Sequence, residues 1–161
     1  MSNVTAYIGL GSNLSNPIEQ LKTALQSIDA LPTTQLVQSS SFYGSKPLGP
    51  QDQPDFVNAV CKIQTSLSAK VLLHHLQKIE LEQGRIKKRH WGERLIDLDI
   101  LLFGDDIIST EELTVPHTQI AFRDFVLIPL VEIAPGLVIP KLGTIESLIA
   151  ALDDSYLITL D

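Results

Sequence analysis

The sequence predicts an α+β fold, an antiparallel sheet with helices packed on it. Three observations carry the prediction. Four runs have the alternating or continuous apolar character of strands, two stretches between them place apolar residues at helical spacing, and Gly, Pro, Asn or Ser marks most of the joints.

VTAYIGL (4–10) reads as the first strand, and GSN (11–13) as a turn. Asn16 has the character of a helix N-cap, with Pro17 at the first helical position and Glu19 three residues after the cap. Ile18, Leu21, Leu25 and Ile28 share one face, which predicts a helix to about Asp29. QLVQSSSFYG (35–44) is expected as a second strand. KPLGPQDQPD (46–55) holds three prolines and a glycine and is expected as a surface loop. FVNAVCKIQT (56–65) reads as a third strand, and Ser68 as the cap of a second helix that stops at Gly84. LIDLDILLF (95–103) is the fourth strand, and GDD (104–106) the turn after it. IISTEELTVP (107–116) predicts short extended pieces. FRDFVLIPLVEIAP (122–135) predicts a third helix, kinked or delayed by Pro129, and the tail a small strand and a last short helix. The first 103 residues thus give β-α-β-β-α-β, the ferredoxin-like order, with a C-terminal αβ extension around it.

The 161 residues suit a single domain spanning 1–161, and neither an interdomain linker nor an internal repeat is visible. Apolar residues make up 44% and charged residues 19%, with no run approaching a membrane span. The N-terminus carries no basic leader of the secretory kind. Cys61 is the one cysteine, which excludes an internal disulfide, and its place in an alternating strand makes it a small core residue. A monomer in a reducing cytoplasm is expected. The formal net charge of −7 argues against general nucleic-acid binding.

The fourth strand poses the chemical question. Seven residues of LIDLDILLF are apolar, yet it carries Asp97 and Asp99. Residues i and i+2 of a strand share a face, about 6.6 Å apart along the chain. Ile96, Leu98 and Ile100 therefore take the core side, and both carboxylates the other. Two like charges at that spacing repel, and a divalent cation between them reverses the sign. Immediately upstream, RIKKRHWGER (85–94) gathers Arg85, Lys87, Lys88, Arg89 and Arg94, five of the twelve basic residues of the chain. For a bare D-x-D motif, a salt-bridge cluster or a solvated edge is the better reading; the adjacent cations favour a metal–phosphate site. GLGSN lacks the third glycine of a dinucleotide fingerprint, since Leu14 holds that place, and no P-loop pattern occurs. A nucleotide here would be held by cations and metal rather than by a backbone nest.

HWGERLIDLDIL (90–101) resembles the signature of the pterin pyrophosphokinases of folate synthesis. YIGLGSNL, SSFYGSKPLGPQDQPDFVNAV, IELEQGR, TVPH and FRDFVLIPLVEIAP extend the likeness, in order, from Tyr7 to Pro135. The resemblance implies transfer of pyrophosphate from MgATP to the hydroxymethyl oxygen of 6-hydroxymethyl-7,8-dihydropterin, leaving AMP, with two Mg²⁺ ions between the carboxylates and the triphosphate. It implies Asp97 and Asp99 as metal ligands, Asp97 close to the pterin hydroxyl, Arg94 on phosphate and Lys87 in a closing loop. Phe56 and Phe125 match the positions that sandwich the pterin, and Asn58 the one that reads its edge. Ser45, Lys46 and Leu48 match ring contacts, and Trp91 borders the same pocket. For ATP the matching positions are Gln77, Glu80, Lys87, Trp91, Arg94, Ile100, Thr114, His117 and Arg123. Glu112 and Thr118 depart from the family pattern and are left out of the expected site, and His90 stands where a relative has arginine. His74 and His75 are read as helix surface or rim. The alternatives are another metal-dependent nucleotidyltransferase, a glycosyltransferase, and a non-catalytic ferredoxin-like binding module.

Overall fold

The computed structural model describes residues 3–13, 16–45, 56–83, 96–152 and 158–160. Strand β1 (Val4–Ser12) is followed by α1 (Pro17–Asp29), β2 (Thr34–Ser39), β3 (Phe42–Ser45) and β4 (Phe56–Thr65). Helix α2 (Ala69–Glu82) leads, past residues outside that set, to β5 (Asp97–Phe103). The short strands β6 (Ile108–Ser109) and β7 (Thr114–Val115) form a hairpin. A 3₁₀ turn, η1 (Ile120–Phe122), precedes α3 (Asp124–Ile133). The strands β8 (Val138–Ile139) and β9 (Gly143–Thr144), helix α4 (Ile145–Ala150) and β10 (Ile158–Leu160) complete the order.

The main sheet is antiparallel throughout, in the order β10-β3-β4-β1-β5, with β2 on β4 in line with β3. Taking β2 and β3 as one interrupted strand, this is the ferredoxin-like arrangement expected from the sequence. Period two sends alternate residues of each strand to opposite faces. On one face Ala6, Ile8 and Leu10 of β1, Cys61 and Ile63 of β4, and Leu98, Ile100 and Phe103 of β5 pack against Leu21 and Ile28 of α1 and Leu72 and Leu76 of α2. On the other, Tyr7, Val60, Leu101 and Leu102 meet Val126, Leu127 and Leu130 of α3 and Ile145 of α4. The last third of the chain is therefore more than an outer decoration. Helix α3 forms the third layer of the domain, and β10 becomes an edge strand of the sheet.

Three local differences from the sequence expectation have physical causes. The single strand expected over 35–44 is broken at Ser40 and Ser41. Serine hydroxyls offer the backbone an alternative to the ladder, and here the Val60 amide donates to Ser40 Oγ at 2.9 Å while the Ser40 amide donates to the Val60 carbonyl at 2.8 Å. Asn16 precedes α1 as expected but makes no side-chain cap, because its φ of 60° is left-handed rather than the extended conformation from which a cap reaches the first turn. Ser68 does cap α2, its Oγ accepting from the Val71 amide at 3.2 Å, and the helix ends at Glu82 with Gln83 as its C-cap; Gly84 lies outside the described residues. Helix α3 runs through Pro129, which has no N–H to give to the Phe125 carbonyl one turn back.

A register shift in β5 matters for the site. Tyr7 pairs with Leu102 and Ile8 with Ile100, so Leu101 is one residue more than β1 can match. At such a bulge two successive side chains fall on one face. Leu101 and Leu102 accordingly both enter the core under α3, while Phe103 returns to the α1/α2 side.

Candidate active site

Beyond the area covered by α3, no described element covers the second face of the sheet, and the residues there are short or polar. Gly11 of β1 lies between Asn58 of β4 and Asp97 of β5, and Gly9 lies between Val60 and Asp99. Gly9, Gly11, Asn58, Asp97 and Asp99 of these rows floor a cavity of about 220 Å³, walled by Phe56 from β4 and by Arg123, Phe125 and Val126 from the start of α3. The two glycines keep the floor low. A Cβ on Gly11 would lie 2.9 Å from Asn58 Oδ1, and one on Gly9 would lie 3.4 Å from Leu101 Cδ2. The Arg123 guanidinium stands over the Phe125 ring, 5.4 Å from its centroid, within cation–π range. Two aromatic walls, a carboxamide and a carboxylate suit a flat heterocycle with hydrogen-bonding edges.

A second, more polar groove of about 390 Å³ opens on the outer edge of β5. Leu73, Gln77 and Glu80, at helical spacing on α2, form one wall, and Glu112, Leu113, Thr114, His117 and Thr118 form the other. The backbone of β5 is its floor. The Leu98 amide points away from β1 and donates to Glu80 Oε2 at 2.8 Å. In an antiparallel pair, amide and carbonyl of the residue two further on share that side, so Ile100 presents both to the groove. The residue is 2% exposed and its side chain belongs to the core, so what Ile100 offers the groove is its backbone. The paired donor and acceptor match the edge of a purine base.

His117 closes the far end. Its amide donates to the Leu101 carbonyl at 3.1 Å, and its Nδ1 accepts from the Gln119 amide at 3.1 Å. The neutral imidazole therefore carries its proton on Nε2, as a donor. Burial pushes the His117 pKa below its usual value of 6.5; Asp99 opposes the shift and Arg123 adds to it. The groove thus gains an N–H donor without another full charge.

Asp97 and Asp99 line both cavities. Asp97 is half-buried and Asp99 exposed, on the face opposite Leu98 and Ile100, as the alternation predicts. Among the described residues no cluster of three or more His, Cys, Asp or Glu could hold a metal alone. Two carboxylates with room beside them fit Mg²⁺, which takes a few protein oxygens and completes its shell with water and phosphate.

A sequence model of the 7,8-dihydro-6-hydroxymethylpterin-pyrophosphokinases (HPPK) matches residues 7–135. The chain belongs to the HPPK family. It is 56% identical over 158 residues to the 2-amino-4-hydroxy-6-hydroxymethyldihydropteridine pyrophosphokinase of Haemophilus influenzae, covering 98% of this chain and 99% of that one. With the protein of the same name from Pseudomonas aeruginosa it shares 49% identity over 145 residues, 90% of each chain. A crystal structure of an HPPK-DHPS in complex with substrates superposes with a TM-score of 0.73 at 15% identity, over 92% of this chain and 44% of that longer one. A Plasmodium falciparum HPPK-DHPS gives 0.73 at 16% identity, over 93% of this chain and 45% of that one. Those two likenesses bear on the fold alone.

Against the positions expected from the HPPK likeness, the structure brings Phe56, Asn58, Phe125 and both aspartates to the ring-sized cavity. It brings Gln77, Glu80, Ile100, Thr114 and His117 to the groove. Arg123, expected with the nucleotide, lines the ring cavity together with Asp97 and Asp99. Ser45 ends β3 opposite Phe56. Lys46, Leu48, Lys87, Trp91 and Arg94 lie outside the described residues, as do Arg85, Lys88, Arg89 and His90. Glu112 and Thr118, left out by the sequence reading, both line the groove. Glu112 binds His74 at 2.9 Å and Lys70 at 3.9 Å, so His74 is part of the rim rather than unpartnered surface. The glycines were missed as floor residues. Their signal is a Gly-x-Gly inside a strand, which marks close approach of another group.

Proposed function

We propose that the chain transfers pyrophosphate from MgATP to the hydroxymethyl oxygen of 6-hydroxymethyl-7,8-dihydropterin, a step of folate biosynthesis. The oxygen attacks the β-phosphorus, the bond from that phosphorus to the α-bridging oxygen breaks, AMP leaves, and the hydroxyl proton is released. One observation carries the reading: a flat aromatic cavity and a polar groove with a purine-matching strand edge meet at Asp97 and Asp99.

In this reading Phe56 and Phe125 hold the pterin plane, and Asn58 orients it through its carboxamide. Ser45, Lys46, Leu48 and Trp91 complete that pocket. Ile100 and Thr114 take the base through the strand edge, with Gln77 and Glu80 along the nucleoside. His117, Arg123, Arg94 and Lys87 bind phosphate oxygens and carry charge that builds on them. Asp97 and Asp99 would hold two Mg²⁺ ions together with phosphate oxygens; bound there, the ions supply charge neutralisation and in-line alignment. Phosphoryl chemistry of this kind rests on positioning and electrostatics rather than on a covalent intermediate. Asp97, lining both cavities, stands where the attacking hydroxyl meets the triphosphate.

No described helix is long and apolar enough to cross a membrane, and the reading places the chain in the cytoplasm as one monomeric domain. The test is a product analysis with ATP, Mg²⁺ and the pterin. AMP together with a diphosphorylated pterin supports the reading. Release of inorganic pyrophosphate with an adenylylated pterin overturns it in favour of nucleotidyl transfer, and absence of turnover overturns the enzyme reading.

A further inference from the structure

The ring cavity is framed by two elements that are far apart in sequence, α3, which carries Phe125, and the β3–β4 pair, which carries Asn58. One side chain ties them together. Glu132 lies seven residues after Phe125 on α3, two helical turns along the same stripe. Its carboxylate accepts from the Ser41 amide at 3.0 Å to each oxygen, from Ser41 Oγ at 2.9 Å and from the Tyr43 hydroxyl at 2.6 Å.

Both ends of this staple have reasons to be where they are. Ser41 sits at the break between β2 and β3, where its amide has no ladder partner, and the carboxylate supplies the acceptor. Tyr43 is only 8% exposed and is the residue directly opposite Asn58 in the β3–β4 pair. Directly opposed residues share a face, so the phenol held by Glu132 flanks the carboxamide that floors the cavity. Bonds to an ionised acceptor are shorter and stronger than neutral ones, and three donors on one carboxylate fix both position and rotation.

We propose that Glu132 is a positioning residue of the ring cavity: by tying α3 to Ser41 and Tyr43 it sets the distance between the Phe125 wall and the Asn58 floor. The groove on the outer edge of β5 is built from α2, β5 and the β7 region and does not depend on the staple. The consequence is a split between the two substrates. With the carboxylate gone, α3 rides more loosely over β3, and the heterocycle loses affinity while the nucleotide does not.

The proposal rests on the pterin and ATP assignment above, and the wild-type protein tests that assignment first. In Glu132→Gln the amide keeps size and one acceptor but loses the charge, and the KM for the pterin should rise about tenfold, with the KM for ATP and kcat at saturation within about twofold of wild type. Tyr43→Phe removes a single bond and should raise the pterin KM about threefold by the same route; adding it to Glu132→Gln should add almost nothing. If Glu132→Gln does not fold, Tyr43→Phe alone decides. An unchanged pterin KM in a folded variant, or equal rises in both KM values, overturns the staple while leaving the assignment intact. A wild-type protein that does not turn over the pterin overturns the assignment itself.

Discussion

Gly11 faces Asn58 across the β1–β4 pair so closely that a Cβ would come within 2.9 Å of Asn58 Oδ1. No side chain fits at that position while the carboxamide keeps its place. The same backbone lies against Asp97 on the other side, so Gly11 links the carboxamide of the ring-sized cavity to a carboxylate that lines both cavities.

Gly11→Ala should therefore displace Asn58 rather than unfold the protein. The crowding is expected to cost roughly 1–3 kcal/mol of stability, in the range of small overpacking changes. Pterin affinity should fall at least about tenfold, and ATP affinity should hold. Calorimetric titration of each ligand alone checks this, and equal losses for both would count against the floor assignment.

Asp97→Asn and Asp99→Asn should each lower turnover by about two orders of magnitude or more, since each removes charge from the pair proposed to hold the metal. Their circular dichroism and unfolding midpoints should stay close to wild type, because neither side chain belongs to either apolar core. Chelation of Mg²⁺ should abolish turnover of the wild type and its replacement restore it. Wild-type rates in either variant would point to a site elsewhere.

Glu80→Ala should destabilise the chain as well as the groove. The residue is 7% exposed, and its carboxylate accepts from the Leu98 amide on the side of β5 away from β1. Removing the acceptor leaves a sheltered donor unmatched, a loss of about 1–3 kcal/mol. Urea unfolding should show the drop, and hydrogen exchange should show the Leu98 amide losing protection before its neighbours in β1.

Alkaline pH should weaken the fold in two stages. Burial pushes the Cys61 thiol from 9.0 to about 12, so its contribution is complete below about pH 9 and is lost as pH rises toward the folded value. Burial, followed by the hydrogen bond and charge of Glu132, raises the Tyr43 phenol from 10.0 to about 12, and its contribution is lost from about pH 10 upward. Cys61→Ala should flatten the first part of the stability curve and Tyr43→Phe the second. At the acid end, burial raises the Glu132 carboxyl, but hydrogen bonds from Tyr43 and Ser41 outweigh it and hold the pKa below 4.5. Its contribution is therefore present above that value and is lost as pH falls through the folded one. Native Cys61 should resist iodoacetamide at about pH 8 and react once urea unfolds the chain.

The sequence was most informative where one physical rule dominates. Period two in β5 put Asp97 and Asp99 on one face and Leu98 and Ile100 on the other, and the structure keeps that division. Proline and the helical apolar spacing placed α1 within a residue of its observed limits. Features set by tertiary partners were less legible. The break at Ser40–Ser41 depends on hydrogen bonds to Val60 and Glu132, and neither partner is near in sequence. The glycines of β1 read as a failed nucleotide fingerprint, since their purpose appears only when Asn58 and Asp97 flank them. The place of Arg123 over Phe125 follows from how α3 begins, which no local spacing encodes.

The surplus residue in β5 has a consequence for how this strand can vary. Up to Leu101, odd positions face the two cavities or α3 and even ones the helices α1 and α2; from Leu102 onward the parity is reversed. Deleting one of the two leucines would remove the bulge and restore strict alternation, with the acids still outward and Phe103 still inward, so the loss would fall only on the contact one leucine makes under α3. A residue added or lost between Asp97 and Ile100 has no such outlet and would turn side chains to the wrong face, so the two adjacent leucines are where this strand can absorb a change of length.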